Sequence, residues 1–310
     1  MANANYDTLL STTLANYRRE LEDNVFTARP LTAWLTKRGN IRMVNGGAKI
    51  VQPLMYAQNQ AANSYSGYDT IATTASAGIS AAEYPWKQYA ATISISGLEE
   101  AQNNGESAVI DLLEAKIMQG EETIAEGFDV MFLGDGTGNS GKHWNGLATM
   151  VDATSTIGNI NSTTETWWRS YVDSTAGVLT IGDMTKAYNT VSRGNDHPDL
   201  ILTTQTLFEK YESLLQPQMR YTDTETGDGG FQNLLFKGAV MMFDANVTSG
   251  VMYFLNSKYL KLVGHSDKWF DPTPFVKPAN QDARFAQILC YGNLTISNRA
   301  RQGKLTARTA

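Results

Sequence analysis

The stretch ESAVIDLLEAKIMQGEETIAEGFDVMFLG, residues 106–134, holds a helical period longer than any other part of the chain. Ile110, Leu113, Ile117, Gly120, Ile124, Phe128 and Met131 recur at intervals of three and four, which places them on one stripe of an α-helix. Unbroken, such a helix is about 42 Å long, enough to brace a whole domain. Gly120 and Gly127 share one flank. Each costs about 1 kcal/mol relative to alanine in a helix interior, and close approach of a neighbouring backbone is the expected compensation. Asp111, Glu122, Glu126 and Asp129 gather on another face, while Leu112 and Glu121 break the two-sided pattern. The helix is predicted to be a spine with more than one partner.

A chain of 310 residues can bury a large core, as one big domain or two intertwined ones. Its net charge of −6 argues against a dedicated nucleic-acid binder, so any contact with DNA is expected to be loose. The single cysteine, Cys290, sits in the apolar run FAQILCYG, cannot form an internal disulfide, and reads as a small buried side chain. No apolar run approaches the length of a membrane helix. MANANYDTLLSTTL lacks a basic segment followed by an apolar core, so a chain made and used in soluble form is expected.

Residues 6–35 read as a short helix ending in an extended stretch around Pro30, with Arg18, Arg19, Arg29, Lys37, Arg38 and Arg42 giving it the look of a basic arm. Residues 48–56 and 86–96 read as strands, the second alternating Tyr89, Ala91, Ile93 and Ile95 with polar or small residues. The long stretch between them is poor in large aliphatics, and a loop of that length is expected to be held still by something outside its own domain. Ser96 and Glu99 form a capping box ahead of the spine. Helices are predicted over 181–191 and 205–215, and strands over 200–202, 239–243, 251–255 and 286–296, a mixture without strict alternation that indicates an α+β class.

Candidate chemistry is sparse. GTGNSGK at 136–142 matches the first seven positions of a phosphate loop, but a helix precedes it and His143 stands where the Mg²⁺-binding hydroxyl belongs. It reads as a glycine-rich turn, with a nucleotide-binding enzyme as a remote alternative. His143, His197 and His265 are too far apart in sequence to suggest a metal site. DTETGDGG at 223–230 misses the EF-hand spacing. Trp167 and Trp168 read as core or interface sooner than as a stacking platform. No catalytic constellation, cofactor or metal is expected.

The order of basic arm, long polar-tipped loop, spine helix, mixed region and closing strand resembles the major capsid proteins of tailed bacteriophages, which share the Hong Kong 97-type fold. The sharper signal lies in the last sixty or so residues, YFLNSKYLKLVGHSDKWF followed by FVKPANQDARFAQILCYGNLTISNRARQGKL. The resemblance implies an N-terminal arm over 1–45 and an extended loop over 46–96. It implies a peripheral domain from 97–144 and 275–310, and an axial domain over 145–274. The implied role is mechanical: copies in hexamers and pentamers form an icosahedral virion head around double-stranded DNA, assembled in the bacterial cytoplasm. A separate scaffolding protein, a portal and decoration proteins are the implied partners, with no membrane. An encapsulin-like nanocompartment is the alternative. Some relatives crosslink through a lysine on the extended loop, yet 56–85 holds none, so a shell without covalent crosslinks is expected.

Tyr65, Tyr68 and Ile71 are the expected anchors of the loop tip on a neighbouring copy. Residues 1–50 carry seven Lys or Arg against four Asp or Glu, whereas 99–135 carry ten acids against Lys116 alone. Arg18, Arg19 and Arg38 are therefore expected to dock on Asp111, Glu122, Glu126 and Asp129 of another copy.

Overall fold

The computed structural model describes residues 24–25, 29–59, 61–71, 73, 77–102, 106–215 and 234–310, with side chains at 100–102 and 106–114 excluded. The spine helix runs Glu106–Leu133, as its period predicts, and buries Ile117, Ile124, Phe128 and Met131 along the expected stripe. The strands of the two larger sheets and of a separate two-stranded ribbon are, in chain order, β1 (Ile41–Val44), β2 (Ile50–Met55), β3 (Ile79–Tyr84), β4 (Lys87–Ser96), β5 (Tyr171–Asp173), β6 (Leu200–Thr203), β7 (Leu234–Phe236), β8 (Ala239–Phe243), β9 (Met252–Leu255), β10 (Leu260–His265), β11 (Asp271–Pro272), β12 (Ala283–Ile296) and β13 (Gly303–Leu305).

The first sheet has the order β1-β10-β12-β11, and β4 joins it antiparallel to β12 from Ala283 opposite Ser96 to Gly292 opposite Lys87. The alternation read in β4 is realised: Ala91, Ile93 and Ile95 are buried while Ala90, Thr92 and Ser94 face out. The spine packs on this strand. An aromatic cluster closes the contact, with Phe128 at 4.9 Å from Trp144, 5.2 Å from Tyr89 and 5.4 Å from Phe132 between ring centroids. The spine's glycines meet side chains here, not the backbone their spacing predicts. A Cβ on Gly120 would sit 3.4 Å from Ile93 Cγ1, whereas one on Gly127 would collide with the Tyr89 ring, 2.6 Å from its Cζ.

The second sheet has the order β7-β8-β6-β9-β13-β5. Its central strands β6 and β9, LILT and MYFL, are buried at every position because both faces are covered. Leu200, Leu202, Tyr253 and Leu255 join the core that includes the spine; Ile201, Met252 and Phe254 join a second core under the helices Ile181–Val191 and Gln205–Leu215. Both helices match their predicted ranges. The first is started by a capping box between Thr180 and Asp183. The box read at Ser96 and Glu99 is also formed, at 3.0 and 3.2 Å.

Two readings change. The chain that follows Pro30 is not extended as read; Pro30 opens a helix, Pro30–Lys37, at the first-turn position where its missing N–H costs nothing. That helix buries Leu31, Trp34 and Leu35, and β1 then pairs parallel with β10, so 30–44 is built into the core and is not a free arm. The stretch 6–23 lies outside the described residues. Sheet membership also cuts across the segments drawn from sequence: β10 and β11, within 145–274, belong to the first sheet, and β13, within 275–310, belongs to the second.

The connection between the sheets is held by one buried cation. Arg299, 0% exposed, donates from Nε to Met150 O at 2.8 Å and from its terminal nitrogens to Thr149 O, Asp152 O, Ser155 O and Ser155 Oγ at 2.6 to 3.1 Å, and to Ser162 Oγ. Burial lowers its pKa to about 10, with Asp152 as the main opposing influence.

Two outcomes follow from this packing. Gly120→Ala should be neutral or stabilise by up to about 1 kcal/mol through helix propensity, while Gly127→Ala should destabilise by about 1–3 kcal/mol through overpacking; equal urea midpoints for the two variants would contradict the assignment. Arg299→Met should cost about 3 kcal/mol or more by leaving carbonyls unsatisfied. Arg299→Lys should recover little of that, since a lysine lacks the planar fork; a lysine variant with wild-type thermal stability would refute the role given to the guanidinium.

Candidate assembly surfaces

Strands β2 and β3 form a two-stranded ribbon, in register from Ile50 opposite Tyr84 to Met55 opposite Ile79, outside both larger sheets. One face turns inward through Ile50, Leu54, Ala82 and Tyr84. Tyr84 is fixed by donating its hydroxyl to Ile296 O at 2.7 Å, and burial pushes that phenol well above its ordinary pKa. The ribbon is held at both ends: Tyr56, just beyond β2 on the tip side, stacks on Trp167 at 4.9 Å, while at the base Lys49 pairs with Glu83 at 2.7 Å and the N–H of Glu83 donates to Gly158 O.

The other face is apolar and bare. Met55 is 83% exposed, Ile79 79% and Val51 about half. The sequence-predicted anchors lie beyond it at the tip: Tyr65 and Ile71 are largely exposed and Tyr68 fully so. The chain itself leaves all three uncovered. Met55 and Ile79 were not singled out from sequence, although the signal was there: β2 alternates Ile50, Gln52 and Leu54 with Val51, Pro53 and Met55, so both faces carry apolar residues.

The expected arm-to-acid contact divides. Arg18 and Arg19 lie outside the described residues, as does the side chain of Asp111. Arg38 lies 3.6 Å from Asp199 of its own chain and stays half exposed. Glu122 and Glu126 are exposed, and Arg29 pairs with Glu126 within the same chain. Asp129 belongs to no exposed face: it is wholly buried, because the turn after β8 covers it and Asn246 hydrogen-bonds to it at 2.7 Å.

The remaining motifs fold without forming a chemical site. In the 136–142 turn, Asn139, Ser140 and Gly141 all take positive φ. The N–H groups of Gly141, Lys142 and His143 donate to Thr137 O, Asn139 O and Gly138 O, so the donors a phosphate cradle needs are used within the turn itself. Trp168 is core, bonded through Nε1 to Ile157 O at 3.1 Å. His197 stacks on Tyr188, and His265 Nδ1 accepts from the Asp267 N–H. The 223–230 loop lies outside the described residues. Among the described residues, no group of three His, Cys, Asp or Glu is placed to hold a metal, and no helix is long and apolar enough to cross a membrane.

No protein-family model matches the chain, and no curated protein sequence does. Solved structures do. The capsid of cyanophage A-1(L) superposes with a TM-score of 0.63 at 18% identity, over 89% of this chain and 93% of that one. The capsid of the native GTA particle gives 0.61 at 10% identity, over 89% and 90%. The holo-SrpI encapsulin complex from Synechococcus elongatus gives 0.58 at 9% identity, over 89% and 87%. This chain therefore has the α+β fold of tailed-phage major capsid proteins, the Hong Kong 97-type fold, which an encapsulin shell also carries.

Proposed function

We propose that this chain is the major capsid protein of a tailed double-stranded DNA bacteriophage, a mechanical subunit without enzymatic activity. The observation that carries the reading is the β2–β3 ribbon: it presents Val51, Met55 and Ile79 and the tip residues Tyr65, Tyr68 and Ile71 to solvent, on a chain with a capsid fold. Ordering each residue of such a projection costs roughly 1–2 kcal/mol of backbone entropy, and an apolar face of this kind calls for a cover. A neighbouring copy supplies it. In this reading the ribbon and its tip are the extended loop, and the residues before Pro30 are the arm. The spine with β1, β4, β10, β11 and β12 makes the peripheral part. The second sheet and its helices make the axial part, where copies meet in pentamers and hexamers. Scaffold, portal and decoration proteins are further partners, and DNA, meeting a chain of net charge −6, is touched loosely. Assembly takes place in the host cytoplasm and the product resides in the virion.

The encapsulin likeness supports a second reading, a cargo-enclosing nanocompartment. Electron microscopy of purified particles separates the two: tailed, DNA-filled heads support the first, and tailless shells holding protein cargo refute it. On a denaturing gel the same particles should run as a 34.0 kDa band; a ladder of covalent multimers would contradict a shell held by burial and strand pairing. Met55→Ser with Ile79→Ser should leave the unfolding free energy of the subunit within about 0.5 kcal/mol and abolish closed shells, and normal shells from that variant would remove the ribbon from the assembly contact.

The arm reading extends to Arg18 and Arg19, which we place against Glu122 and Glu126 of an adjacent copy. One exposed pair contributes only about 0–1 kcal/mol, but a shell repeats it in every subunit. Reversing both arginines to glutamate should impair assembly of empty shells most at low salt, where screening is least; a defect independent of salt, or none, would exclude docking by charge.

A further inference from the structure

Where the spine meets the turn after β8, two carboxyl groups are buried against each other. Asp129 is 0% exposed and Asp244 5%. Asn246 holds one oxygen of each: its Nδ2 donates to Asp129 Oδ2 at 2.7 Å, and its backbone N–H donates to Asp244 Oδ1 at 3.0 Å. The same Nδ2 reaches Glu126 Oε1 at 3.1 Å. The turn itself is fixed, since the Asp244 N–H donates to Thr203 O of β6 at 3.0 Å. Asp129 Oδ1 and Asp244 Oδ2 are then left buried with no donor among the described residues.

Acceptors without donors are expensive to bury, and two ionised carboxyls in contact repel strongly in a medium of low polarity. One proton removes both problems. It supplies the missing donor, lowers the charge of the pair from two to one, and forms a charge-assisted O–H···O⁻ bond of the stronger kind. The charged groups around the pair are Arg29, from the segment before the Pro30 helix, and Glu126 on the spine, and these two are already paired with each other.

We propose that Asp129 and Asp244 share a single proton and act as a pH-controlled latch between the spine helix and the second sheet. The latch is closed while the proton is held and loosens when both carboxyls ionise. Burial first, and then the charge of Asp244, push Asp129 from its ordinary 3.8 up to about 7, with Asn246 and Arg29 opposing. The folded state thus binds the proton more tightly than the unfolded chain does. Its contribution to stability is present on the acid side and is lost as pH rises through the folded value.

The test is thermal unfolding of the full chain at about pH 5.5 and about pH 8.5, for wild type, Asp129→Asn, Asp244→Asn and, as a control at an exposed acid away from the pair, Glu212→Gln. Between the two pH values the wild-type midpoint should fall by at least about 3 °C more than that of either aspartate variant, and Glu212→Gln should behave as wild type. Infrared difference spectra over the same interval should show a protonated carboxyl band that wild type loses and Asp129→Asn lacks. Parallel pH responses in wild type and the aspartate variants overturn the proposal, as does a stability that depends on chelator instead of pH, which would mean a cation sits between the oxygens. If the variants do not fold, the infrared measurement on wild type decides alone: no loss of a protonated carboxyl overturns it.

Discussion

Everything in this molecule depends on how closely the spine helix lies on β4. Phe128 is fully buried and meets Tyr89 from the strand, Phe132 from the next turn of the helix and Trp144 from the loop that follows, while Phe270 reaches it at 6.2 Å from the segment before β11. Aromatic rings bury the most area per residue and fix geometry through their edges and faces. One residue therefore joins the helix, the first sheet and the returning chain. The missing side chain at Gly127 is part of the same contact, because the Tyr89 ring occupies the space a Cβ would need.

Around that apolar centre, the junctions between parts are polar, and each is satisfied from several directions. Arg299 gathers the carbonyls of the 149–155 segment. Asn293 accepts the Asn145 N–H through Oδ1 and donates through Nδ2 to Pro85 O, tying the post-spine loop to the start of β4. Gln302 closes a two-way bond with the backbone of Asn256, at 2.8 and 3.1 Å. Apolar surfaces tolerate sliding, but a buried donor has one geometry, so these groups set how the two sheets are joined. Asp129 and Asp244 differ from these, being two acceptors facing each other, and that is what makes their junction sensitive to a proton.

The ribbon is the opposite case. It is pinned by a stack at the tip-side end of its strands, an ion pair at its base and a buried tyrosine, whereas its outer face and the tip residues Tyr65, Tyr68 and Ile71 lie outside the subunit's own core. A chain that keeps large apolar side chains on a long projection spends subunit stability on association, a pattern that suits a shell built from many copies and would be a liability in a monomer.

The spine, the two helices over the second core, the capping box at Ser96 and the alternation of β4 were legible in the sequence, because each is decided by local period and local hydrogen bonding. The strands β6 and β9 were legible as strands over 200–202 and 251–255, but the sequence could not say that both faces are buried or that they belong to two different cores. Pro30 misled because the same ring that ends a helix also begins one. The pairing of β1 with β10, the transfer of β13 to the second sheet and the meeting of Asp129 with Asp244 join residues far apart in the chain, where no local spacing carries information. Asp129 looked like one more acid on a solvated helix, since its period says only which way it points. What lies in that direction, water or another carboxylate, was decided by tertiary packing, because burial depends on what the rest of the chain places there.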